Sequence, residues 1–144
     1  MKKIGKSLSY LLLFILTSIP SFTWAQNSPI QVQAKLSETN IFNGESVLLE
    51  FIISGRSLNS IDRPTVLDVP GLRWISGSNR QGQSIQYVNG RPSVTYTYGY
   101  QFVATQVGNY TLPSFNITVN GEIYRTKPIS FRVLDPANSQ QNIG

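Results

Sequence analysis

The chain has neither cysteine nor histidine among its 144 residues, and its single methionine is Met1. Without cysteine there is no disulfide, thiol nucleophile or thiol redox centre. Without histidine the commonest general base is gone, and the two absences together exclude a Cys/His zinc site. Carboxylates are scarce: Glu38, Glu45, Glu50, Asp62, Asp68, Glu122 and Asp135 are all there are. No two stand in a close motif suited to paired acid–base work. Asp62 and Asp68 flank proline-rich turns but supply too few ligands for a calcium loop. The expectation is therefore no enzyme, with no catalytic, cofactor-binding or metal-binding residue.

Long apolar runs are also missing, with one exception. Leu8 to Ile19 is predominantly apolar, follows Lys2, Lys3 and Lys6, and is broken by Pro20 and Ser21 before Thr23-Trp24-Ala25. A basic start, an apolar stretch and a small-residue cut site make a signal peptide. The run of about a dozen residues is short for a bilayer, which takes about 20 to span, so an uncleaved anchor is the weaker alternative. Residues 1–25 are expected to be removed after Ala25, giving a periplasmic protein with no membrane span. No cysteine stands at the cut to carry a lipid. The remaining 119 residues suffice for one core. The net charge of +5 then falls to +2, because three of the twelve basic residues leave with the leader. The product has no sulfur and cannot sense oxidant by cysteine or methionine oxidation. Arg56, Arg63, Arg73, Arg80 and Arg91 are spread over 36 residues and make no nucleic-acid face.

What is present is period-2 alternation punctuated by Gly, Asn and Pro, which predicts strands. Ile30, Val32, Ala34 and Leu36 alternate with polar residues, and Asn43-Gly44-Glu45 turns the chain into a strand over 46–53. Residues 54–71 read as an irregular connection with one short strand at Thr65-Val66-Leu67. Strands follow at 72–76 and 84–88, with Gly77 and Gly82 bounding the link between them. Asn89-Gly90 marks a type I′ hairpin, leading into the longest strand, Ser93 to Ala104. Val107-Gly108-Asn109 makes a corner, and Tyr110 to Val119 returns as one strand. Asn120-Gly121 is a second hairpin, and 122–125 and 129–134 close the domain. The sequence predicts an all-β, immunoglobulin-like antiparallel β-sandwich of about 7–9 strands over residues 26–134, as such spacing implies. A small closed barrel is the alternative. Residues 135–144 are polar and read as a tail or linker.

The candidate binding residues are aromatic. Tyr96, Tyr98 and Tyr100 share a strand face with Val94 and Phe102. That face is either the core, with hydroxyls at its rim, or a sugar-stacking platform together with Tyr87 or Trp74. The opposite face, with Ser93, Thr95, Thr97, Gly99 and Gln101, is the wetter one, which favours the core. Trp74 reads as a core residue too. Gly108-Asn109-Tyr110 has the form of a tyrosine corner. Asn109-Tyr-Thr and Asn116-Ile-Thr match the glycosylation sequon, incidental in a bacterium.

Several stretches taken in order resemble one family. They are Pro64 to Gly71, Ser84 to Gly90, Tyr96-Thr-Tyr-Gly-Tyr-Gln-Phe, Gly108-Asn-Tyr-Thr-Leu-Pro113 and Val119-Asn-Gly-Glu-Ile-Tyr-Arg-Thr-Lys-Pro128. Their order and spacing are similar to the N-terminal domain of BatD, the oxygen-tolerance or aerotolerance proteins, over residues 30–134. The resemblance implies an envelope protein working beside von Willebrand factor A-type and tetratricopeptide-repeat partners, and it supplies no catalytic residues. Family members are longer, with further β-domains and a C-terminal membrane span. This chain reads as a short member or as a truncated reading frame, the tail favouring the second. The implied function is a non-enzymatic module making protein–protein contacts in an envelope complex; the alternative is a carbohydrate-binding module.

Overall fold

In the strand that follows Gly44, alternation alone dictates which side chains go inward. Val47, Leu49, Phe51 and Ile53 are buried, and Leu48, Glu50 and Ile52 between them are half-buried on the other face. The computed structural model describes residues 30–139. The signal peptide expected over residues 1–25 and residues 140–144 lie outside these.

Ten strands form among the described residues: β1 (Gln31–Leu36), β2 (Asn40–Phe42), β3 (Ser46–Gly55), β4 (Leu72–Trp74), β5 (Arg80–Val88), β6 (Arg91–Ala104), β7 (Gly108–Leu112), β8 (Asn116–Val119), β9 (Glu122–Arg125) and β10 (Ile129–Leu134). The helical turn α1 (Pro136–Ser139) follows. β1, β3, β6 and β4 make one sheet, in which β5 also pairs with β6. Against it lie the three-stranded sheet β2-β10-β7 and the hairpin β8-β9. Edge-on ring contacts join the layers, Phe51 to Phe115 with centroids 5.0 Å apart. Phe102 reaches Phe131 at 5.8 Å. The fold is thus an all-β sandwich with ten strands, more than the seven to nine expected. It is not wholly antiparallel, because β2 pairs with β10 in parallel. The sequence reading missed β2, whose three residues are too few to show a period.

Three other expectations are corrected, and the start of the tail gains a detail. Thr65-Val66-Leu67 is no strand, because neighbouring carbonyls are taken by side chains: Tyr100 Oη donates to Pro64 O and Trp74 Nε1 to Leu67 O at 3.0 Å. Gly82 lies inside β5, paired with Thr97, and only Gly77, with φ of 77°, needs a turn conformation. The run from Tyr110 to Val119 is two strands. Pro113 interrupts it, and Phe115 turns to Thr126, donating its N–H to Oγ1 at 2.9 Å and accepting from Thr126 N at 3.0 Å. The tail begins with α1, where Asp135 Oδ1 accepts from Ala137 N at 2.9 Å as an N-cap, and Pro136 takes the first helical position.

Both Asn-Gly turns have the left-handed backbone of a type I′ hairpin, with φ of 53° and 75° at 89–90 and 50° and 79° at 120–121. The tyrosine corner is also present: Tyr110 Oη donates to Gln106 O at 2.8 Å, and the ring stacks on Phe131.

Candidate functional site

β6 is fourteen residues long, and only part of it has a layer above it. From Tyr98 to Ala104 its inward residues Tyr98, Tyr100, Phe102 and Ala104 are buried. Towards its start, Tyr96 and Val94 are half-buried and Pro92 and Arg91 are exposed. Its partner β5 is exposed at all nine residues. The hairpin is flanked by β3 as far as Gly55↔Val94, and only its tip, residues 86–93, runs on as a two-stranded extension.

Register fixes what each face of the whole β5–β6 hairpin presents, because directly paired residues point the same way. Gln81, Gln83, Ile85 and Tyr87 lie opposite Tyr98, Tyr96, Val94 and Pro92, on the continuation of the core face. Arg80, Gly82, Ser84, Gln86 and Val88 lie opposite Gly99, Thr97, Thr95, Ser93 and Arg91 on the outer face. The core face thus ends in an uncovered apolar stripe: Tyr87 is 76% exposed and Ile85 57%. Arg63 flanks its inner end, Nη2 donating to Gln81 Oε1 at 3.2 Å.

The aromatic candidates separate accordingly. Burial pushes the phenol pKa values of Tyr98 and Tyr100 above the ordinary 10.0, with Arg63 pulling weakly the other way. These two are core residues. Trp74 is half-buried, edge-on to Phe102 at 5.2 Å, with its indole nitrogen committed to Leu67. Tyr87 is the one large aromatic exposed among the described residues, so no row of coplanar exposed rings forms. Asp62 and Asp68 lie on the irregular connection, and no group of three or more His, Cys, Asp or Glu among the described residues is placed to hold a metal. Asn109 is on the outer side of β7, its Oδ1 accepting from Arg132 Nε at 3.3 Å. No helix among the described residues is long and apolar enough to cross a membrane.

Sequence reasoning had the hairpin turn and the Tyr87 candidate but missed the length of β5. The missing signal was tertiary, since alternation in 80–84 is polar on both faces. The family model described as the BatD DUF11-like domain matches residues 34–133, from within β1 to the penultimate residue of β10. No curated protein matches the chain.

Proposed function

The chain belongs to the BatD family, and from that premise we propose that it is a non-enzymatic module, exported to the periplasm by a signal peptide cut after Ala25. In this proposal it contacts partner proteins of an envelope complex linked to oxygen and oxidative-stress tolerance, the partners carrying von Willebrand factor A-type or tetratricopeptide-repeat domains. The observation that carries the reading is the uncovered hairpin. Ile85 and Tyr87 are exposed two residues apart on one face of the ordered β5–β6 hairpin. Covering side chains of that size is worth about 1.5–3 kcal/mol each. Contribution to oxygen tolerance is then by assembly, and the purified chain should show no peroxide turnover.

The test is photo-crosslinking in cells of the source organism, with a photoreactive residue at position 87 and a control at position 123, an exposed apolar position on β9. The expected result is envelope proteins of the two partner classes crosslinked from 87 and not from 123. Equal yields from both positions, or none from 87, would defeat the proposal.

A further inference from the structure

We propose that the free edge of β5 docks an acidic, extended segment of another protein, which adds to the five-stranded sheet as a further strand. This rests on the binding role above and specifies the partner's chemistry. β5 bonds to β6 on one side, and among the described residues no strand lies along its other side. The outward N–H and C=O groups of alternate residues are open to a new strand. Sheet edges are usually closed by lysine, proline, a bulge or an inward charge. From Gln81 to Val88 there is no proline and no charge, and the register with β6 runs without a skipped residue from Arg80↔Gly99 to Val88↔Arg91.

Charge identifies the occupant. Between Asp68 and Glu122 the sequence has no carboxylate, so the hairpin's only charges are Arg80 and Arg91. Both stand on the outer face, one at each end of the ribbon, and Arg63 adds a cation beside the inner face. Glu50, on the outer face two strands from β5, already has Lys35 opposite it. An added strand would alternate its side chains between the same two faces. An acid on its outer side would lie beside Arg80 at one end, another beside Val88 would face Arg91 across that residue, and apolar residues on its inner side would lie beside Ile85 and Tyr87. A second copy fits worse. Antiparallel self-pairing about Ser84 would set Arg80 against Val88, with Arg91 next in the row, gathering cations at both ends and leaving Ile85 opposite Gln83.

The test titrates the purified chain, by NMR, with a nine-residue peptide alternating glutamate with valine and threonine, and with its lysine counterpart. The glutamate peptide should bind about tenfold or more tightly than the lysine peptide at physiological salt, with the gap shrinking at about 1 M. Alternate β5 amides should gain protection from exchange, and the double variant Arg80→Glu/Arg91→Glu should reverse the preference. Equal binding of the two peptides, protection along β1 in place of β5, or a dimer of the chain formed through β5 would overturn the proposal. A partner crosslinked from position 87 while the glutamate peptide fails to bind would keep the binding role and discard the acidic strand.

Discussion

Gly71 lies against the Tyr110 ring so closely that a methyl group on its Cα would run into the phenol oxygen and come within 2.9 Å of Cε1. Its φ of 87° is in the left-handed region, and its carbonyl accepts from Thr105 N at 2.8 Å and Thr105 Oγ1 at 3.0 Å. This glycine seats the end of the irregular connection on the tyrosine corner. Gly71→Ala combines backbone strain with overpacking and should cost about 2–4 kcal/mol, measured by urea unfolding. Gly90→Ala, at a position with open space around it, shares only the strain and should cost less.

Tyr98 and Tyr100 give different results when cut at different atoms. Tyr98→Ala empties a buried ring site and should cost about 3–5 kcal/mol. Tyr100→Phe keeps the ring but leaves the buried Pro64 carbonyl without its donor, for a cost of about 1–2 kcal/mol. Chemical denaturation of the two variants checks both.

The same two phenols set an alkaline limit. Their folded pKa values are raised above the unfolded value near 10.0, so the folded state holds these protons more tightly. Their contribution to stability is full below about pH 10 and is lost as pH rises through the folded values. Melting temperature should stay level towards pH 9 and fall above 10, and Tyr98→Phe/Tyr100→Phe should flatten that fall.

The two Asn-Gly turns look alike in sequence but carry unequal loads. Asn120 Oδ1 accepts from Asn59 N and Ser60 N at 2.8 and 3.1 Å, and Nδ2 donates to Ser57 O at 2.7 Å. Asn89 has no such side-chain bonds and lies at the exposed tip. Asn120→Gly keeps the turn conformation but removes three bonds, and should cost about 2–3 kcal/mol. Asn89→Gly should stay within about 0.5 kcal/mol of the parent. Paired melts of the two variants test the difference.

Exposed hairpin residues should separate binding from folding. Tyr87→Ala and Ile85→Ser ought to leave stability within about 0.5 kcal/mol, as surface changes do, yet abolish crosslinking from neighbouring hairpin positions. A loss of stability comparable to Tyr98→Ala would mean that the stripe is covered within the chain itself.

Strands with alternating apolar residues, such as 46–53 and 93–104, were legible because one face of each meets the core. The Asn-Gly turns were legible because few residues tolerate their backbone. What escaped depends on partners far away in sequence. Ile41 in β2 is wholly buried, but only pairing with β10 makes a strand of its three residues. The connection over 54–71 is ordered by Tyr100, Trp74 and Asn120, none of which lies within it. The cap on α1, Asp135-Pro136, is a local signal, but the polar tail that carries it has no apolar period to mark a helix. For the candidate site, Tyr87 was visible as a residue, whereas its exposure beside Ile85 depends on β5 starting at Arg80.

β6 continues without a break from the exposed turn to Ala104 at the far side of the core, fourteen residues or roughly 48 Å at the usual rise. β3 pairs with it from Ser46↔Val103 to Gly55↔Val94, so more than half of that span is clamped inside the sheet. The exposed part is accordingly an arm with its root embedded, free of any hinge in the strand. Whatever seats on the arm takes its heading from the sandwich. The angle between the two bodies is then fixed by the strand's own twist, and lengthening the turn at 89–90 would extend the tip without changing the direction in which it points.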